Sequence, residues 1–141
     1  MIRRAYPALA LAVCAVSPPA GAQGVDGVYA GTLSCEILAG QTRRQLATDI
    51  RITIAGTNVS YEREILNPDG GGTTGIKERG AGEVKGSGLS MAAAGRGNSW
   101  SYEATYSGTI AGGTIAMRGI QKWHVNRGNQ DRPCTINARR R

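Results

Sequence analysis

Apolar and polar side chains alternate along this chain with a period of two, in short runs separated by Gly, Asn or Ser. No stretch of useful length repeats at helical spacing, so the pattern predicts an all-β protein. A one-residue slip would send every side chain of a strand to the other face, so a register is credible only where turns and faces agree. The stretch YSGTIAGGTIAMRG, residues 106–119, supplies the clearest case. With Gly112-Gly113 as a two-residue type I′ turn, Ile110 meets Ile115, Gly108 meets Met117 and Tyr106 meets Gly119. Further along the same face are Ala104 with Gln121, Tyr102 with Trp123 and Trp100 with Val125. The alternate pairs, among them Ser107 with Arg118, Glu103 with Lys122 and Ser101 with His124, make a mostly polar face.

Other turns extend the pattern. One at Gly86-Ser87 sets Val84 against Leu89, Gly82 against Met91 and Gly80 against Ala93. One at Gly56-Thr57 sets Ile54 against Val59, Ile52 against Tyr61 and Ile50 against Arg63, the charged exception on an apolar face. One at Gly97-Asn98 sets Gly95, Ala93, Met91 and Leu89 against Trp100, Tyr102, Ala104 and Tyr106. With a first strand near 27–38 and a last near 133–139, about eight antiparallel strands follow one another. The expected architecture is an up-and-down barrel, which leaves no free edge and encloses room for side chains or one small ligand. A sandwich of two sheets is the alternative.

The cysteines bear on closure. Residues 1–22, MIRRAYPALALAVCAVSPPAGA, have a basic start, an apolar stretch and a small-residue finish, which predicts a cleaved secretory signal and one mature domain over 23–141. Removing it takes away Cys14 and, with Arg3 and Arg4, lowers the formal net charge from +7 to +5. Cys35 and Cys134 then remain, 99 positions apart, and in a periplasmic or secreted setting they are expected to form a disulfide joining the first strand to the last. On topology and length the chain resembles the avidins and lipocalins, ligand-holding eight-stranded barrels. It carries Gly27-Val28-Tyr29 where lipocalins carry Gly-x-Trp, so the resemblance implies architecture and no site residue.

In such a barrel alternate connections fall at one end. The minimal turns at 56–57, 86–87 and 112–113 share one end, while AGQTRR (39–44), NPDGGGTTG (67–75), GRGN (95–98) and NRGNQDR (126–132) share the other. These longer loops hold Arg43, Arg44, Arg96, Arg127 and Arg132. Trp100, Tyr102 and Trp123 come to the same end on inward positions, with Arg63 and Gln121 a little deeper. Small inward residues (Gly80, Gly82, Ala93, Ala104, Gly108, Gly119) leave volume for a hollow or for packing. An aromatic-lined opening under Arg-rich loops is what a small anionic or amphipathic ligand requires. A buried Arg63 would need a counter-charge, which such a ligand could bring.

Other chemistries find less support. The glycine pair at 112–113 precedes no helix and no Gly-Lys-Ser/Thr, so it does not read as a phosphate loop. His124 falls on the polar face away from any carboxylate or thiol, and Glu62 with Glu64 reads as a solvated charged surface opposite Arg51. Asp69 is one carboxylate, too few for calcium. The aromatics point inward, which speaks against nucleic acid, and Arg139-Arg140-Arg141 reads as a solvated tail or a contact with anionic envelope components. No catalytic residue, metal site or cofactor is expected, and no membrane segment after signal cleavage. Three readings follow: a non-enzymatic binder of a small anionic or amphipathic ligand, an envelope structural or protein-interaction module, or an inhibitor of a secreted hydrolase, a role found in a bacterial metalloprotease-inhibitor family of small disulfide-closed barrels.

Overall fold

The computed structural model describes residues 24–39, 45–67, 72–126 and 128–141. Among them eight strands follow one another around a closed barrel: β1 Gly27–Cys35, β2 Leu46–Ala55, β3 Asn58–Leu66, β4 Thr73–Lys85, β5 Gly88–Arg96, β6 Trp100–Ala111, β7 Thr114–Val125 and β8 Gly128–Arg140. Each strand pairs antiparallel with the next, and β8 returns to β1, so the two-sheet alternative is not adopted. The expected signal segment with Cys14, and Arg43, Arg44, Asp69 and Arg127, lie outside the described residues.

Period-two sequence becomes period-two burial: from Ala47 to Ala55 every second side chain of β2 is buried. At the tight end Gly112 and Gly113 have φ of 55° and 74°, as a type I′ turn demands of both central residues. The β6/β7 ladder runs in the expected register from Trp100↔Val125 to Ala111↔Thr114. Val84↔Leu89, Ile54↔Val59 and Ile52↔Tyr61 also pair as expected, although the β2/β3 ladder ends at Arg51↔Glu62, short of Ile50 and Arg63.

Three details correct the sequence reading. The β5/β6 register is shifted by two, with Gly95↔Tyr102, Ala93↔Ala104 and Met91↔Tyr106. The cause is a wider connection, closed by the Gly97 amide donating to the Trp100 carbonyl at 2.9 Å, which gives the Trp100 ring room to lie against Gly97. An even shift keeps every side chain on its expected face. Second, β1 stops at Cys35 while β8 begins at Gly128, so Arg132 is a strand residue and not part of a loop. Third, β8 continues to Arg140, whose guanidinium lies 5.6 Å from the Tyr29 ring centre and donates to the Tyr29 hydroxyl at 3.1 and 3.3 Å. The Arg141 amide donates to the Val28 carbonyl at 2.9 Å, so the terminal arginines are pinned to β1 and do not form a loose tail.

The seam between β1 and β8 carries the disulfide. Cys35 and Cys134 are direct cross-strand neighbours, 4.1 Å apart at Cα, and are bonded. Closing a loop with a sequence separation of 99 restricts the unfolded chain enough to stabilise the fold by about 4 to 5 kcal/mol in the chain-entropy account.

The inner glycines are filled from across the barrel wall. A Cβ on Gly80 would lie 2.1 Å from the Tyr61 ring, one on Gly119 2.5 Å from the Tyr106 ring, and those on Gly82 and Gly108 1.9 and 2.0 Å from backbone carbonyl oxygens. Ile52, Tyr61, Met91, Tyr106, Met117 and Ile136 occupy the middle of the barrel as one packed core. Gly108→Val is therefore expected to cost about 3 kcal/mol, the upper part of the usual range for overpacking. Gly88→Ala, whose added Cβ would meet only the Lys85 carbonyl oxygen at 3.2 Å, is expected to cost less than about 1 kcal/mol. Urea unfolding of both variants checks this, and equal midpoints would contradict it.

Candidate functional site

The inner face of β3 presents Tyr61, Arg63 and Ile65 at alternate positions, all buried. The inner face of β4 runs Ile76, Glu78, Gly80, Gly82 and Val84, and the ladder sets Arg63 directly opposite Glu78 and Tyr61 opposite Gly80. Because Gly80 has no side chain, the Tyr61 ring leans across β4. Its hydroxyl donates to Glu78 Oε1, and the Tyr102 hydroxyl on β6 donates to Glu78 Oε2. Arg63 forms an ion pair with Glu78 through Nη2, which also donates to the Tyr102 hydroxyl at 2.9 Å. Arg63 Nη1 faces Thr48 Oγ1 at 3.5 Å and the Glu64 carbonyl at 3.4 Å. The counter-charge anticipated from a ligand is thus present in the chain itself.

Beside this group Gln121 Nε2 donates to the Tyr106 hydroxyl at 3.1 Å, and Trp123 Nε1 donates to Gln121 Oε1 at 3.0 Å. Tyr102 and Trp123 lie 4.5 Å apart between ring centres, and Trp100 covers both at 6.1 and 5.4 Å. Toward the mouth β3 and β4 lose register between Glu64 and Leu66, where Gly75 takes a φ of 73°. Thr74 Oγ1 donates to the Ile65 carbonyl at 2.8 Å and anchors this flared edge. A hollow of about 40 Å³ opens here, lined by Leu33, Leu38, Leu46, Ile65, Leu66, Trp100 and Trp123 with Cys35, Thr48, Thr74, Arg63 and Arg132.

Arg132 is the unusual member. Its side chain is buried, with 4 % of the residue exposed, and Nε donates to the Glu36 carbonyl at 2.6 Å. Burial, reinforced by the charge of Arg63, lowers its pKa to about 10. Arg132 Nη2 and Arg63 Nε are buried and have no hydrogen-bond partner among the described residues. Burial likewise disfavours the Arg63 charge, but Glu78 and the neighbouring tyrosine hydroxyls outweigh it and leave that pKa raised.

Of the residues singled out from sequence, the structure brings Arg63, Trp100, Trp123 and Arg132 to the hollow, sets Tyr102 against Arg63, and buries Gln121 between Tyr106 and Trp123. Arg96 is exposed on the outer face, one position after inward Gly95, and does not join them. Of the two outcomes left open for the small inner residues, packing is found, because tyrosine rings and neighbouring backbone take their volume. Sequence reasoning missed Glu78, although extending the inward positions Val84, Gly82 and Gly80 by one more step of two reaches it. His124 is exposed with Nδ1 2.9 Å from Asn129 Oδ1. Glu62 lies outside, bonded to Lys77 at 2.6 Å and Arg79 at 3.0 Å. No protein-family model, curated protein or solved structure matches the chain.

The buried pair makes a mutational prediction. Glu78→Leu strands the buried Arg63 guanidinium and is expected to cost about 3 to 5 kcal/mol, while pairing it with Arg63→Met recovers part of that loss. Chemical denaturation of the two single variants and the double variant checks this, and strictly additive losses would contradict it.

Alkaline pH tests the tyrosines. Burial first, then the Glu78 charge, pushes Tyr61 and Tyr102 far above the usual phenol range, and burial pushes Tyr106 up to about 12. Between about pH 10 and 12 the unfolded chain loses these protons while the folded state keeps them, so stability falls as pH rises. Arg132 acts in the opposite sense over that window, one group against three. Tyrosinate absorbance should therefore rise together with loss of β-sheet circular dichroism. Ionisation of all the tyrosines near pH 10 in a folded protein would contradict this.

Proposed function

We propose that the protein is an exported, non-enzymatic binding protein that holds a small anionic or amphipathic ligand at the barrel mouth. The observation that carries this reading is the imbalance of charge at the hollow: of two buried arginines, Arg63 is paired with the buried Glu78 while Arg132 has no ion-pair partner among the described residues, and Arg63 Nε and Arg132 Nη2 lack a hydrogen-bond acceptor. A buried guanidinium without a partner costs several kcal/mol after relaxation. An anion entering from the mouth offsets that cost, and the leucines and tryptophans around it accept an apolar body. The disulfide and the signal-like start support an oxidising destination, periplasmic or secreted.

A second reading, an envelope structural or protein-interaction module, draws support from the packed middle of the barrel. The two are separated by a direct binding measurement. Trp100 and Trp123 are the chain's two tryptophans and both line the hollow, so intrinsic fluorescence reports on it. Titration with octanoate is expected to give a saturable change, at least about tenfold tighter than octylammonium, a difference of about 1.4 kcal/mol. Native mass spectrometry of protein purified from its source is expected to show a retained small molecule. No response to the anion and no retained mass would favour the second reading.

A further inference from the structure

Resting on that reading, we infer that the mouth selects a monocarboxylate joined to an apolar body, bound with its carboxylate inward between Arg132 and Arg63. Charge, donors and the apolar lining lead to this ligand class.

Among the described residues the buried charges are Arg63 and Arg132, which line the hollow, and Glu78, which pairs with Arg63 behind it, a net of one positive charge. The carboxylates of Glu36 and Asp131 nearest Arg132 in sequence belong to exposed residues, where water screens them. One negative charge brings the buried set to neutrality. A dianion would leave an uncompensated charge of the other sign among leucines and tryptophans, at a cost comparable to the one it removed.

The free donors are equally limited. Arg132 Nε is committed to the Glu36 carbonyl, and Arg63 Nη2 to Glu78 and Tyr102. What remains buried and unpartnered among the described residues is Arg132 Nη2, an NH2 group, and Arg63 Nε, a single N–H. Two donor nitrogens on two planar groups suit the two oxygens of one carboxylate.

The lining of the hollow sets the rest of the ligand. Leu38, Leu66, Trp100 and Trp123 line the same hollow, so the hydrocarbon that follows the head stays on apolar surface.

The test compares head groups on one tail. Octanoate, octanesulfonate, octyl phosphate and octanol are titrated into the wild-type protein at about pH 8, where a phosphate monoester carries nearly two charges, with tryptophan fluorescence as the signal and calorimetry as a check. Octanoate is expected to bind at least tenfold tighter than octyl phosphate, with the singly charged but tetrahedral sulfonate between them and octanol weakest. Arg132→Met is expected to weaken octanoate at least tenfold, while Arg96→Met on the outer face leaves it unchanged. If Arg132→Met does not fold, Arg132→Lys, which keeps the charge and loses the planar fork, is expected to weaken octanoate while leaving the sulfonate less affected. Octyl phosphate binding as tightly as octanoate would overturn the carboxylate inference and leave the anion-binding reading standing. Failure of all three anions would overturn both.

Discussion

Glu78 is the interaction on which the rest of this barrel's upper half depends. Its carboxylate sits among β3, β4 and β6, accepts the hydroxyls of Tyr61 and Tyr102, and balances the charge of Arg63. Each partner is itself held: Tyr61 by the space over Gly80, Tyr102 by Trp100 stacked on it and Trp123 tilted against it. A carboxylate with fewer donors would be costly at this depth, and the same donors without a carboxylate would be costlier still. Glu78, Arg63, Tyr61 and Tyr102 thus form one connected buried group.

That group divides the interior. Toward the tight turns, glycine opposite tyrosine and glycine against backbone let strands and rings approach closely, and the space is filled. Toward the mouth, β3 and β4 flare at Gly75, β1 ends at Cys35, and Leu38 tucks in beyond the strand. The disulfide fixes the seam at this same level, since Cys35 also lines the hollow. The opening is thus shaped by a bulge, a disulfide and an ion pair rather than by long loops alone.

Much of this was legible in the sequence, and particular residues explain what was not. Turns at Gly56, Gly86 and Gly112 set strand order and faces, and the two cysteines named the seam correctly. The β5/β6 register was misjudged by two because Gly97-Asn98 reads as a tight turn, while the Trp100 ring requires a wider one. Parity placed Arg63 inside, but no short turn links β3 to β4, so nothing in the sequence set Glu78 opposite it. Arg132 was assigned to a loop because Gly128, Asn129 and Asp131 look like loop residues, whereas β8 carries them as its opening turns of the ladder. The hollow lies at the end to which Arg63, Trp100 and Trp123 were assigned, and other side chains complete its lining.

The central claim is that, among the described residues, the barrel mouth holds one more buried positive charge than buried carboxylates neutralise. The most direct measurement is a crystal structure of the natively purified protein at near-neutral pH, refined well enough to place the guanidinium groups of Arg63 and Arg132. The account predicts an anion within hydrogen-bonding distance of Arg132 Nη2 and Arg63 Nε, with Glu78 still bonded to both tyrosines. Arg132 paired with a carboxylate of the protein's own, or turned out into solvent, would contradict it.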